Sequence, residues 1–170
     1  MSNDIAQSVT HPPLGTDADR YEAAKLRRAG LEDISALIAL YHKAREESTE
    51  TQESMSGWLD RGGSLVLQDA DGTLVCALRW REGQHGWEVD RVATLPRTRG
   101  RSYGRWLMTK LEALAIRSNI PTLNLTLKNP DAELLAYYQR MGYQMTDKNA
   151  AHVELQKRVG GVWQYKGRNS

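Results

Sequence analysis

Residues 91–108 read RVATLPRTRGRSYGRWLM, and this stretch decides how the rest of the chain is interpreted. It predicts a strand, a stop at Pro96, a basic turn containing glycine, and the start of an amphipathic helix. A helix N-terminus directs unpaired backbone N–H groups and the positive end of the helix dipole at one point. Positive charge in this turn comes from Arg97, Arg99, Arg101 and Arg105. The turn therefore predicts a site for a phosphate or pyrophosphate group.

Length and composition indicate one ordinary globular domain. The chain has 170 residues, and we expect a polar N-terminal arm over residues 1–20 followed by a single domain over residues 21–170. The 23 basic and 21 acidic residues give a net charge of only +2, which argues against a dedicated nucleic-acid or membrane-surface protein. No apolar run approaches the ~20 residues of a membrane span, and the N-terminus carries no secretory signal pattern. The expectation is a cytoplasmic protein.

The sulfur and imidazole side chains show no metal-binding pattern. The single cysteine, Cys76, lies in the apolar run LVCAL and is expected to pack as a small hydrophobic residue. The four histidines are scattered without ligand spacing, so no metal is expected.

Upstream of the turn, periodicity predicts one weak strand, two helices and three further strands. The weak strand lies within residues 22–28. A helix after Gly30 places six residues on one apolar face: Leu31, Ile34, Leu37, Ile38, Tyr41 and Ala44. A second helix runs from Thr51 to Arg61 and is stopped by Gly62-Gly63. The strands are predicted at Ser64–Gln68, Thr73–Arg81 and Trp87–Leu95.

Downstream of the turn, the pattern predicts a helix over residues 104–118 and a strand over residues 122–127. Asn129 is expected to cap a second helix with Pro130 at its first position, and that helix ends near Gly142. Closing strands are predicted at Tyr143–Thr146 and His152–Lys157, with a further one at Val162–Tyr165. The helical crossover favours parallel pairing of the strands on either side of it. The predicted fold is α/β (α+β), a mixed central sheet of six to seven strands flanked by about four helices.

Over residues 24–158 this arrangement resembles the GNAT superfamily of acyl-CoA-dependent N-acyltransferases. The family motif Arg/Gln-x-x-Gly-x-Gly/Ala is matched with Arg99 first and Gly104 last, whereas Ser102 stands where the family usually has the middle glycine. A second family element, Asn…Tyr-x-x-x-Gly-Tyr/Phe, is matched by Tyr138 four residues before Gly142. The resemblance implies the GNAT fold and acetyl-CoA as co-substrate.

The resemblance also implies where the co-substrate is held. In the family the pantetheine arm pairs with the fourth strand like an added strand, and a backbone N–H near Val92 to Thr94 receives the developing oxyanion. Asn129 matches the family asparagine only approximately, two residues further upstream, and helix capping is the alternative role. The implied cofactor-binding residues are Val92, Thr94, Arg99, Gly100, Arg101, Ser102, Tyr103, Gly104, Arg105 and Asn129.

Two side chains are candidates for proton transfer. Tyr138 matches the family tyrosine near the thioester sulfur and is the candidate acid, the alternative being a core-facing aromatic residue. Glu88, on the predicted fourth strand, is the candidate base. Asp90 is the second choice, and an amine that arrives neutral needs no base. The alternative role for Glu88 is an ion pair with Arg79 or Arg81.

The resulting interpretation is an N-acetyltransferase that moves an acetyl group from acetyl-CoA to an amine of a small molecule or peptide by direct attack in a ternary complex. The alternatives are a catalytically weak GNAT-like acyl-CoA-binding module and a nucleic-acid binder that uses the arginine turn. The acceptor amine stays open, as does the choice between a monomer and a homodimer.

Overall fold

A computed structural model describes residues 24–45, 48–100 and 102–160. The expected N-terminal arm and the expected strand at residues 162–165 lie outside these residues, as does Arg101.

Seven strands and four α-helices make up the regular structure of the described residues. Their bounds are β1 Lys25–Arg28, α1 Ile34–Ala44, α2 Gln52–Arg61, β2 Gly62–Gln68, β3 Leu74–Glu82, β4 Trp87–Thr94, α3 Tyr103–Arg117, β5 Thr122–Lys128, α4 Ala132–Arg140, β6 Gln144–Lys148 and β7 His152–Arg158. The predicted number of strands and helices is confirmed, and the predicted boundaries agree to within a few residues.

The strands hydrogen-bond in the order β1-β2-β3-β4-β5-β7-β6. Pairing is antiparallel for β1 with β2, β2 with β3, β5 with β7 and β6 with β7. The strands β4 and β5 pair in parallel, which confirms the prediction from the helical crossover α3. This parallel pairing joins Trp87, Glu88 and Val89 to residues 123–125, although both strands are longer than that.

The chain divides into two compact units. The first contains residues up to Arg81 together with Arg91–Leu111, and the second contains Glu82–Asp90 and the residues from Glu112 onward. In the first unit, α1 buries four residues, Ile34, Leu37, Leu40 and Tyr41. All of Leu74–Leu78 on β3 is buried, Cys76 included, as is typical of a strand covered on both faces.

In the second unit, strands β5 and β7 bury apolar residues on one shared face. Leu123 and Leu125 are buried on β5, and Val153 and Leu155 are buried on β7, so these side chains share one face. Strand β6, at the edge of the sheet, is exposed along its whole length.

One prediction about the first helix is wrong in detail. Leu31 lies in a 3-10 turn, Leu31–Asp33, and is 65% exposed, because α1 begins only at Ile34. The second helix, α2, ends at Arg61 before Gly62-Gly63, as predicted, and these two glycines begin β2 directly. They are needed because β2 approaches β3 closely: a Cβ on Gly62 would overlap the carbonyl oxygen of Trp80.

The predicted cap of α4 is also wrong. Asp131, not Asn129, caps this helix, because its carboxylate accepts a hydrogen bond of 2.8 Å from the Leu134 N–H. Asn129 adopts a left-handed φ of 45° and donates its N–H to the Ala151 carbonyl at 2.8 Å. The chain therefore turns at Asn129 and begins the helix two residues later than predicted.

A buried ion pair fixes the segment between α1 and α2 to the sheet of the first unit. The Arg79 guanidinium donates to both carboxylate oxygens of Glu50, at 2.8 and 2.9 Å, and the two side chains are 4% and 6% exposed. The guanidinium also stacks on Trp58, with Cζ 4.3 Å from the ring centroid. Ser54 donates its hydroxyl to the same carboxylate at 2.9 Å. The geometry is bidentate, which is the strong form of this interaction.

We expect Glu50→Ala to lower the free energy of unfolding by about 3 kcal/mol, because it leaves the Arg79 charge buried without its counter-charge. The double variant Glu50→Leu/Arg79→Met removes both charges and should lose much less. Urea denaturation measures both changes. Arg97→Ala, which breaks the exposed pair with Asp69, is the matched control and should cost less than about 1 kcal/mol. A Glu50→Ala loss as small as that of the control would contradict this account.

Candidate active site

The predicted anion-binding turn joins β4 to α3 in the first unit. A 3-10 turn, Pro96–Thr98, follows β4, and the backbone then adopts left-handed φ values of 83° at Gly100 and 61° at Ser102. The Trp106 N–H donates to the Ser102 carbonyl at 3.0 Å. Gly104 therefore lies in the first turn of α3, where the N–H groups have no carbonyl acceptor in their own helix. This is the backbone geometry that favours an anion.

Ser102 adopts a left-handed backbone conformation of the kind that glycine adopts most readily. A left-handed conformation costs an L-residue about 1–2 kcal/mol, and only glycine adopts it freely. The exposed Ser102 side chain is small, and its hydroxyl adds one more hydrogen-bond donor at the start of the helix. A serine at this position is therefore compatible with a left-handed backbone in the turn.

The arginine side chains of the turn are not all directed at one point. Arg97 contacts the Asp69 carboxylate at 3.3 Å, and Arg99 donates to the carbonyl of Ala44, the last residue of α1, at 3.0 Å. Arg105 is exposed in the first turn of α3, and Arg101 lies outside the described residues. The backbone of the turn is thus better placed than its guanidinium groups to define an anion site.

Strand β4 presents the backbone groups of Val92 and Thr94 on the edge that faces away from β3. Leu95 donates its N–H to the Val75 carbonyl on β3 at 2.9 Å. Burial alternates along the strand, with Trp87, Val89, Ala93 and Leu95 buried. Because backbone direction alternates with the same period, the N–H groups of Val92 and Thr94 point the other way. These groups match the edge that the resemblance assigns to pantetheine.

Cys76 lies behind this edge and is unsuited to act as a nucleophile. Its Sγ lies 3.4 Å from the Thr94 hydroxyl, and the residue is fully buried. Burial raises the pKa of the thiol to about 12, against an ordinary value of 9.0. The thiolate, which is the reactive form, is therefore absent at neutral pH.

In the second unit, Glu88 is half-buried on β4 and lies beside the turn that precedes the strand. A Cβ on Gly83 would come within 2.8 Å of the Glu88 Cγ and 3.2 Å of its Oε1. Asp90 follows on the same face of β4 and is also half-buried. Of the two arginines considered as ion-pair partners of Glu88, Arg79 instead pairs with Glu50.

Tyr138 is 5% exposed and lies in an aromatic cluster of the second unit. Its ring meets those of Tyr137 and Tyr143 edge to face, at centroid distances of 5.1 and 5.8 Å. Tyr143 directs its hydroxyl at Glu112 at 3.5 Å, and Lys157 donates to the same carboxylate at 2.7 Å. Burial, followed by the Glu112 charge, raises the pKa of Tyr143 well above its usual range. Tyr143 therefore stays protonated and acts as a packing partner of Tyr138.

The predicted site residues thus fall into two groups. The turn at residues 99–105 and the strand residues Val92 and Thr94 belong to the first unit, whereas Glu88, Asn129 and Tyr138 belong to the second. The ion pair of Glu112 with Lys157 was not predicted, because its members are 45 positions apart in the sequence. No local pattern announces such a pair.

The chain is similar to acetyltransferases in sequence family and in fold. A family model described as "Acetyltransferase (GNAT) family" matches residues 31–143. No curated protein sequence matches the chain. Among solved structures, the ribosomal-protein-S18-alanine N-acetyltransferase from Escherichia coli is 14% identical with a TM-score of 0.71, covering 81% of this chain and 94% of that one.

Two further structures of similar fold contain coenzyme A or acetyl-CoA. PaiA N-acetyltransferase from Thermoplasma acidophilum, in complex with coenzyme A, is 15% identical with a TM-score of 0.65, covering 79% of this chain and 98% of that one. YncA from Salmonella typhimurium, with its cofactor acetyl-CoA, is 16% identical with a TM-score of 0.66, covering 81% and 94%.

The family match spans well over half of the chain. The chain belongs to the GNAT acetyltransferase family and is an acyltransferase. Among the described helices, none is long and apolar enough to cross a membrane. Within the same part of the chain, no three His, Cys, Asp or Glu side chains form a group that could hold a metal ion.

Gly100→Ala should lower the free energy of unfolding by about 1 kcal/mol, because alanine is strained at φ 83°. A Cβ at this position would meet nothing within 4 Å, so the loss in free energy of unfolding comes from backbone strain and not from a steric clash. Gly57→Ala in α2, where a Cβ is equally unobstructed, is the control and should raise the free energy of unfolding by about 1 kcal/mol. Denaturant titration measures both. Equal signs for the two variants would contradict the assigned turn.

Cys76 should not react with a chromogenic disulfide reagent at pH 8 while the protein is folded, and should react once when urea unfolds it. Its folded pKa of about 12 lies above the ordinary 9.0, so the contribution of this thiol to stability is complete below pH 9.0 and is lost as the pH rises towards 12. Cys76→Ala is the control, because its free energy of unfolding should not show the loss that this thiol causes as the pH rises from 9.0 towards 12. Rapid labelling of the folded protein would contradict the assigned burial.

Proposed function

We propose that this chain is an N-acetyltransferase that transfers the acetyl group of acetyl-CoA to an amine by direct attack. The observation that carries the proposal is the left-handed backbone at Gly100 and Ser102, which leads into the N-terminus of α3. Membership of the GNAT family supports acetyl transfer, and two proteins of similar fold have coenzyme A or acetyl-CoA bound.

The turn supplies the interactions that a pyrophosphate requires. Backbone N–H groups of the first turn of α3, at Gly104 and Arg105, donate to phosphate oxygens, and the helix dipole favours the negative charge. The Ser102 hydroxyl and the exposed Arg105 guanidinium add side-chain donors, and Arg101 and Tyr103 complete the proposed cradle. Arg99 binds as a backbone element, because its side chain contacts Ala44.

The edge of β4 supplies the interactions that the pantetheine amides require. The N–H and carbonyl groups of Val92 and Thr94, which face away from β3, pair with the amide groups of the arm as a neighbouring strand would. One N–H between Val92 and Thr94 donates to the thioester oxygen as negative charge develops there. Asn129, which directly follows β5 and has a left-handed backbone, is the remaining proposed contact of the cofactor.

The transfer forms one bond and breaks one bond. The lone pair of the neutral amine attacks the thioester carbonyl carbon, the carbon–nitrogen bond forms, and the carbon–sulfur bond breaks as the tetrahedral intermediate collapses. The proton lost by the amine passes to Glu88, directly or through one water, with Asp90 as the second candidate. The leaving thiolate takes a proton from Tyr138, which solvent then restores.

Binding and turnover test the proposal separately. Titration calorimetry with acetyl-CoA should give a saturable heat, and an amine panel should release coenzyme A thiol. Gly104→Glu should abolish binding, because a carboxylate in the first turn of α3 repels the phosphates. Gly57→Glu, which adds the same charge in α2 where a Cβ meets nothing, should bind normally. The absence of heat and of thermal stabilisation in the folded parent protein would overturn the proposal.

Tyr138→Phe should lower kcat by about 10²-fold or more while leaving the dissociation constant for acetyl-CoA nearly unchanged, because it removes only the proton donor. Tyr137→Phe deletes the neighbouring hydroxyl on the same helix and keeps the ring packing, so its kcat should change little. Steady-state rates and calorimetry on both variants measure the difference. An unchanged kcat for Tyr138→Phe would remove this residue from the mechanism.

A further inference from the structure

A row of polar side chains crosses three strands of the second unit. Glu88 on β4 is paired in register with Asn124 on β5, and Asn124 is paired with Gln156 on β7. Side chains of residues paired in this way stand on the same face of a sheet, and neighbouring strands lie about 4.8 Å apart. The three side chains are half-buried, whereas Leu123 and Leu125 on the opposite face of β5 are buried.

Hydrogen bonds fix the middle of this row. Asn124 donates through Nδ2 to the Trp87 carbonyl at 3.3 Å and to the Thr122 hydroxyl oxygen at 3.2 Å, which uses both hydrogens of its amide. Its Oδ1 accepts from the Gln156 Nε2 at 2.8 Å. Thr122 in turn donates its hydroxyl to the His85 carbonyl. The orientation of both amides is therefore determined by the fold.

Hydrogen-bonding capacity is left over at the Gln156 end. Its Oε1 and its second Nε2 hydrogen have no partner among the described residues, and the Asn124 Oδ1 can accept one further bond. A fixed carboxamide with both a donor and an acceptor to spare matches a hydroxyl group, which can accept one bond and donate another. A purely hydrocarbon group at the same place would leave these half-buried groups unsatisfied.

The turn at Gly83 and Gly86 packs closely against the Glu88 end of the row. Gly83 donates its N–H to the Gly86 carbonyl at 2.7 Å, and a Cβ on Gly83 would collide with the Glu88 side chain. A Cβ on Gly86 would collide with Thr122, the residue that holds Asn124. The turn therefore lies directly against both Glu88 and the support of the row.

We propose that Glu88, Asn124 and Gln156 form the acceptor-binding strip, and that the acceptor is a hydroxyl-bearing amine. The amino group lies at Glu88, and a hydroxyl group one to two strand spacings away, roughly 5–10 Å, bonds the Gln156 carboxamide. Gln156 is thus a specificity-determining residue, and Asn124 is a positioning residue that holds it. The inference rests on the proposed function, because it takes Glu88 as the residue that faces the reacting amine.

The test compares two probe amines of equal length, 5-amino-1-pentanol and n-hexylamine, which differ by a hydroxyl in place of a methyl group. With acetyl-CoA, the parent protein should show kcat/KM about tenfold higher for the amino alcohol, the effect of one good hydrogen bond. Gln156→Leu should abolish this preference by raising KM for the amino alcohol. Gln144→Leu, on the exposed edge strand next in register, should keep the preference.

A second measurement separates failure of the strip from failure of the proposed function. Binding of 5-amino-1-pentanol is measured by calorimetry with coenzyme A present and no acetyl donor. Amino alcohol binding that Gln156→Leu weakens about tenfold supports the strip even where no thiol is released. Turnover of both amines with equal kcat/KM, or a preference that survives Gln156→Leu, contradicts the acceptor-binding strip. Either result still supports the proposed acetyltransferase function. The absence of both turnover and binding overturns both.

Discussion

The reversal of the chain after β4 is the constraint on which the arrangement depends. Two left-handed residues, Gly100 and Ser102, turn the backbone between the 3-10 turn at Pro96–Thr98 and the start of α3 at Tyr103. The helix then crosses back to β5, and the resulting parallel pairing with β4 is the feature that makes the sheet mixed. The same reversal places helix N–H groups at the turn. Fold and proposed chemistry therefore share one local backbone geometry, and a change in that geometry would affect both.

Much of the fold could be predicted because its signals are local. Strand periodicity and turn residues are encoded in neighbouring positions, and the crossover contains one continuous helix of 15 residues. The order of elements and the parallel pair could therefore be predicted from the sequence. The N-cap residue of α4 could not be predicted in this way. Asn129-Pro130 and Asp131 are both good helix starts, and the choice between them depends on a bond from Asn129 to Ala151, which is distant in the sequence. The role of Gly62 depends likewise on the approach of a partner strand.

The candidate site likewise contains residues that could be predicted from local sequence and residues that depend on distant contacts. The motif at residues 99–104 and the position of Tyr138 follow from spacing, so both could be named from the sequence. The partners of the arginines could not, because Asp69 and Ala44 come from separate elements of the chain. The polar row is likewise invisible in the sequence, since Glu88, Asn124 and Gln156 become neighbours only through strand register. Site residues that become neighbours only through strand pairing therefore cannot be identified from a single sequence.

The burial of Cys76 has a consequence for how the protein tolerates its own product. The proposed reaction liberates a free thiol with each turnover, and such thiols, once oxidised, exchange with accessible thiolates on proteins to form mixed disulfides. Here the sulfur lies behind β4 and stays protonated up to strongly alkaline pH. The chain therefore offers its liberated coenzyme no point of covalent attachment, and accumulation of coenzyme A disulfide should leave the folded protein chemically intact.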